Sequence, residues 1–226
     1  MQRLKVRERD SPSFHMLEKS SIVAATEKFL REHYSPVQRN NDEKVSGAIA
    51  SLMETVNDRR KATQWILEET VRMIHRSFEF QSLSIALRDR DHDFKYAATT
   101  GISEEAKKVL FSIHYSESEL FDESIFPHTS ISDITKFFMS ESEPYQPGEE
   151  TTFFRPVMLA KRRESPEEML PGDYIDFVFR NRSNEIMGFI EVGETRTNRL
   201  PERSTILWLE LIATLLGAVL CNRLEG

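Results

Sequence analysis

Asp89-Arg-Asp-His-Asp93 sets three carboxylates at alternate positions, the pattern that opens an EF-hand calcium loop. Such a loop needs glycine at its sixth position and a bidentate glutamate at its twelfth, and here those positions hold Phe94 and Thr100. The acids therefore read as a solvated hairpin turn. A second set, His114, Asp122, Glu123, His128 and Asp133, offers imidazoles and carboxylates suited to a metal. Its spacing matches no ligand motif, and scattered polar residues in a loop are the plainer reading, so no metal is expected. Cys221 is the single cysteine, which excludes an intrachain disulfide and a multi-thiolate zinc site. No G-x-S-x-G elbow, metal-hydrolase motif or Walker A lysine is present, and no catalytic residue is expected.

A formal charge of −7 argues against nucleic acid as a partner, because phosphate binding needs a basic face. The deficit is local. Between Glu117 and Glu150 nine acids face one lysine, a net of −8, which leaves the rest of the chain at +1. The longest apolar run, Ile206 to Cys221, is 16 residues and contains Glu210. A bilayer span needs about 20, so this run reads as a buried helix, with no membrane partner and a cytoplasmic location. Met1 to Asp10 is charged throughout and carries no signal peptide.

These residues need elements to position them. Residues 1–13 read as a disordered lead-in and Phe14 to Tyr34 as a helix. Val45, Ile49, Leu52 and Val56 repeat at four, three and four, the stripe of a helix that pairs with another helix. Neither proline nor glycine interrupts Asn57 to Lys61, so this helix is expected to run on to Phe78, with its first half projecting toward a partner chain. The alternative is that it packs back on its own domain. Gln81 to Arg88 and Phe94 to Thr100 form a hairpin, and Ser103-Glu-Glu105 opens a short capped helix. From about Ile113 to Thr152 periodicity is lost, and long irregular stretches of this kind are often lids or binding loops. Phe153 to Leu159 suits a strand, and the Lys161-Arg-Arg163 cluster beyond it reads as solvated surface. Tyr174 to Arg180 and Ile186 to Val192 are β-branched and aromatic strands, followed by a helix opened by Pro201 and Glu202.

Pro171-Gly-Asp173 before a strand, Gly188-Phe-Ile-Glu-Val192, Arg199-Leu-Pro201 and Leu209-Glu-Leu-Ile-Ala213 together resemble the GAF modules of archaeal and bacterial signalling proteins. The likeness covers roughly Lys61 to Leu220. It implies an α+β fold: a GAF-like, PAS-related antiparallel sheet with flanking helices, here over 61–222, and an N-terminal helical extension over 14–60 for dimerisation. It also implies helices on one face of the sheet and, on the other, a ligand pocket lidded by the 113–152 crossover.

The residues that the resemblance turns toward that pocket are Tyr96 (or its neighbour Phe94), Tyr115, Phe126, His128, Phe153, Arg155, Phe177 and Phe179. Arg155 is the natural anchor for an acidic ligand, unless the surrounding acids claim it; Phe177 and Phe179 have plain core as their simpler reading. A GAF module that holds haem or a bilin through a thiolate needs a cysteine near the pocket, and Cys221 stands at the end of the closing helix. A haem held by His114 or His128 alone would colour the protein. The GAF-like enzymes that reduce free methionine sulfoxide need a resolving thiol that one cysteine cannot supply. The cyclic-nucleotide signature of phosphodiesterase GAF modules is missing from Gly193 to Leu200.

Two functions follow from the resemblance. One is a non-enzymatic, homodimeric sensor that binds a small molecule and signals through its terminal helices to an output protein in trans, such as a histidine kinase or response regulator. The other is a ligand-free dimerisation or partner-binding scaffold. Neither names a cofactor.

Overall fold

The computed structural model describes residues 21–33, 42–58, 60–120, 122–142 and 162–224. Phe153, Arg155, the expected strand from Phe153 to Leu159 and the 1–13 lead-in lie outside the described residues.

Among the described residues three helices come first: α1 (Ser21–His33), α2 (Asp42–Asn57) and α3 (Thr63–Ser77). The continuous helix expected from Glu43 to Phe78 is therefore wrong. Asp58 breaks it: its carboxylate accepts the Arg60 N–H at 3.0 Å and the Arg60 side chain at 2.9 Å, while Lys61 N–H turns back to Asp58 O. Such side-chain-to-backbone bonds offer the chain an alternative to the helical ladder. The break folds α2 back onto α3, and Ile49, Leu52 and Val56 are buried inside the chain's own core. The projecting helix is corrected to a packed one.

Among the described residues seven strands follow, all paired antiparallel in the order β3-β2-β1-β7-β6-β5-β4. They are β1 (Leu83–Arg88), β2 (Asp93–Thr100), β3 (His114–Ser116), β4 (Thr129–Ser130), β5 (Thr135–Phe138), β6 (Tyr174–Arg180) and β7 (Ile186–Val192). Two short helices, α4 (Glu104–Leu110) and α5 (Glu117–Leu120), lie between β2 and β4, and α6 (Arg203–Leu224) closes the chain. Ser103 caps α4 by accepting the Ala106 N–H at 3.2 Å. The crossover is more regular than its sequence suggests, because it contributes β3, β4 and β5.

One face of the sheet carries the main core. Leu83, Ile85, Ile175, Phe177, Phe179, Ile190 and Val192 pack there with Ile66, Val71 and Ile74 of α3 and Leu209, Ile212 and Leu216 of α6. The other face carries a second cluster of Ala86, Phe94, Tyr96, Val178 and Phe189 under Leu110 and Leu120. A β-bulge lets β2 serve both. Ile85 pairs with Ala98 and Ala86 with Tyr96, so Ala97 is the extra residue; Phe94 and Tyr96 face one way and Ala98 the other.

At α6, Gly217 has no side chain because a Cβ there would meet Arg180 O at 2.9 Å and Phe179 Cβ at 3.2 Å. Although α6 is long and apolar enough to cross a membrane, its contacts with β6 and β7 make it a core helix. Leu207 and Leu211 nevertheless remain 48% and 41% exposed.

Candidate functional site

The α4–α5 face of the sheet divides into a filled half and an open half. Alternation along β6 places Asp176, Val178 and Arg180 on this face and Ile175, Phe177 and Phe179 on the helix face. Phe177 and Phe179 are thus corrected from pocket residues to core. Both are essentially inaccessible, and the Phe179 ring occupies the space where a Cβ on Gly188 would sit, 2.5 Å from its nearest carbon.

The filled half is aromatic. Phe189 of β7 meets Phe94 and Tyr96 of β2, each with ring centroids 6.0 Å apart. The Tyr96 hydroxyl donates to Glu191 Oε2 at 2.6 Å, and burial, followed by the Glu191 charge, pushes the phenol well above its ordinary range. Tyr115 leans edge-on against Phe126 at 5.7 Å and packs on the same cluster. Among the expected site residues, Tyr96, Tyr115 and Phe126 therefore lie on or against this face, but none of them lines the cleft beside it.

That cleft, about 770 Å³ and open to solvent, is walled among the described residues by none of the side chains expected to bind a small molecule; Asp122 and Asp133 belong instead to the set weighed as metal ligands. From the sheet come Lys136, Arg180 and Ile186; from the crossover come Glu117, Ser118, Asp122 and Asp133. Lys136 stands opposite Asp176 across the β5–β6 pair. Its Nζ lies 2.7 Å from His128 Nε2, while His128 Nδ1 lies 2.9 Å from Phe126 O. A carbonyl can only accept, so Nδ1 carries the proton and Nε2 receives the Lys136 N–H. The imidazole, wedged beside the Phe138 ring at 5.2 Å, thereby fixes the lysine. Burial pulls the Lys136 ammonium below its ordinary pKa, Arg180 pushes it the same way, and Glu123 and Asp176 oppose both. His128 is thus a neighbour of the cleft rather than part of its wall.

The other charges divide into committed and uncommitted. Glu117 pairs with Arg88 at 2.8 Å. Asp122 accepts from Ser124 N–H at 2.8 Å and Ser124 Oγ at 2.6 Å, bonds that hold its carboxyl below the ordinary value. Arg180 gives one bond, from Nη1 to Asn184 O at 3.0 Å, and forms no ion pair among the described residues. Asp133 is exposed and forms none either among those residues. No group of three imidazole, thiolate or carboxylate side chains among the described residues is arranged for a metal.

Two motifs have structural roles. Asp89 caps its own hairpin, accepting from Asp91 N–H at 2.8 Å and Asp93 N–H at 3.1 Å and pairing with Lys95. Arg163, expected on a solvated surface, is buried; it pairs with Asp173 and Glu141, each at 2.8 Å. Asp173 is the acid of the Pro171-Gly-Asp173 motif, and it also accepts from Ser140 N–H and Leu170 N–H. The loop before β6 is built on that carboxylate.

An antiparallel sheet with helices on one face and a crossover roofing the other defines an α+β fold. Solved structures with a similar fold include GAF domains. The GAF domain of an Acinetobacter phosphoenolpyruvate-protein phosphotransferase is 12% identical with a TM-score of 0.51, over 82% of this chain and 98% of that one. The corresponding domain from Coxiella burnetii is 11% identical with a TM-score of 0.52, again over 82% and 98%. A bacteriophytochrome from R. palustris is 13% identical with a TM-score of 0.51 over 83% of this chain, which matches 39% of its length. No family model and no curated protein matches the sequence. The chain has a GAF-domain fold.

Proposed function

We propose that this protein is a non-enzymatic regulatory module of the GAF type, cytoplasmic and homodimeric, that binds a small molecule on the crossover face of its sheet. The binding event passes through the terminal helices to an output protein in trans, such as a histidine kinase or response regulator. Residues 61–222 form the sensory unit in this reading and 14–60 the helical extension. The observation that carries it is the 770 Å³ cleft at the open half of that face, with charged groups converging on it.

The homodimer rests on α6 rather than on the Val45–Val56 stripe, most of which is buried. Leu207, Leu211, Thr214 and Ala218 repeat at four, three and four along the exposed side of α6. That spacing suits a second copy of the same helix across a two-fold axis, with the two leucines as its main apolar contacts.

The scaffold reading has its own support, since the inner half of the face is filled by Phe94, Phe189 and Leu120. A thermal-shift screen against nucleotides, organic acids, amino acids and aromatic compounds separates the two. A ligand at 100 times its dissociation constant adds about 2.7 kcal/mol of stability. A melting temperature unmoved by every class favours the scaffold.

A further inference from the structure

Arg180 and Asp133 line the same cleft, Arg180 from β6 and Asp133 from the crossover just before β5. They do not pair with each other, and neither is neutralised by another described residue. An unpaired guanidinium has donors left for a carboxylate, and Lys136 beside it adds a second cation held in place by His128. Asp133, with Glu117 and Asp122 also contributed by the crossover, offers the opposite sign. A simple anion would meet three carboxylates, and a simple cation would meet a lysine and an arginine. A molecule carrying both charges satisfies both signs.

We propose that the cleft is a binding site for a small zwitterion of the α-amino-acid class, its carboxylate on Arg180 and Lys136 and its ammonium on Asp133. This rests on the small-molecule reading given above and deepens it. The depressed pKa of Lys136 fits the same picture, because a carboxylate arriving between the lysine and Arg180 relieves the repulsion that helps to lower it. Ile186 lines the cleft and gives an aliphatic side chain a surface to rest on.

The experiment is calorimetric titration of the full chain with a panel of L-α-amino acids, each accompanied by its decarboxylated amine and its deaminated acid. At least one amino acid binds, and both of its single-charge analogues bind more weakly by roughly tenfold or more, equivalent to ~1.4 kcal/mol. Arg180→Met and Asp133→Asn each produce a comparable loss, with unchanged melting curves showing that the variants remain folded. An analogue that binds as tightly as its parent amino acid overturns the proposal, as does binding that survives both substitutions. If no amino acid binds but another compound class stabilises the protein, this inference falls and the sensor reading stands. If no compound of any class binds, both fall.

Discussion

Arg163 and Asp173 form an ion pair at 2.8 Å in which neither side chain is accessible to solvent. Removing one partner leaves the other charge buried, and such losses cost about 3–5 kcal/mol. Arg163→Met is expected to destabilise the fold by that amount, read from the shift in a urea midpoint. Replacing both, as Arg163→Met with Asp173→Leu, should recover part of the loss, although Ser140 and Leu170 then lose an acceptor for their N–H groups. A single variant within ~1 kcal/mol of the parent would mean that the pair is not buried in solution.

Two leucines two positions apart on α6 should behave oppositely. Leu209 is fully buried and Leu211 is 41% exposed. Leu209→Asp places a carboxylate in the main core and should abolish soluble expression. Leu211→Glu should leave the fold intact and convert a dimer to a monomer in analytical ultracentrifugation. The α6 seam is the wrong surface if Leu211→Glu remains dimeric or the parent sediments as a monomer at tens of micromolar.

The residues that make the fold legible are those whose pattern has one physical meaning. Ile186 to Val192 reads as a strand because β-branched and aromatic residues cluster between turn residues, and Asn184 does adopt the left-handed conformation, with φ of 66°, that turn residues tolerate. Thr135 to Phe138 is not legible because four residues give too short a window, and its acidic surroundings read as loop. The register of β6 is undetermined in the sequence: Ile175, Phe177 and Phe179 are no more apolar than a strand buried on both faces allows, so sequence alone does not say which face they take. Arg163 looks exposed because it follows two other cations and precedes Glu164. Its partners, Asp173 and Glu141, are 10 and 22 residues away in sequence. Lys136 and Arg180 give no signal for a related reason, since the cleft forms only when β5 docks beside β6.

Tyr96 provides a test by pH. Burial raises its phenol pKa in the folded state, so above the ordinary tyrosine range the unfolded chain loses a proton that the folded chain retains. The folded state then binds more protons, and stability falls as pH rises through that range. Tyr96→Phe should remove this part of the alkaline slope, measured as the difference between the two proteins' urea midpoints across pH. At neutral pH the same change deletes a bond to the Glu191 carboxylate, a loss of about 1.5–3 kcal/mol. Parallel alkaline slopes for the two proteins would show that Tyr96 does not titrate differently on folding.

Arg223 joins the closing helix to the first part of the chain. Its Nη1 donates to Lys61 O at 2.6 Å, and its Nη2 donates to Val56 O at 2.8 Å and Asp58 O at 2.7 Å. One guanidinium therefore satisfies carbonyls at the end of α2 and in the turn before α3, where helical acceptors are otherwise left open, and its positive charge suits the negative end of the α2 dipole. Arg223→Met keeps the aliphatic stem and removes all three bonds. Amide hydrogen exchange should then accelerate in the last turn of α2 and in residues 57–62, while β1, β6 and β7 keep their protection. Global stability should fall by only about 1–3 kcal/mol, since the freed carbonyls at a half-exposed turn can take up water. Uniform acceleration across the sheet would instead make Arg223 part of the global core, and no change in α2 would show that the turn at Asp58 holds without it.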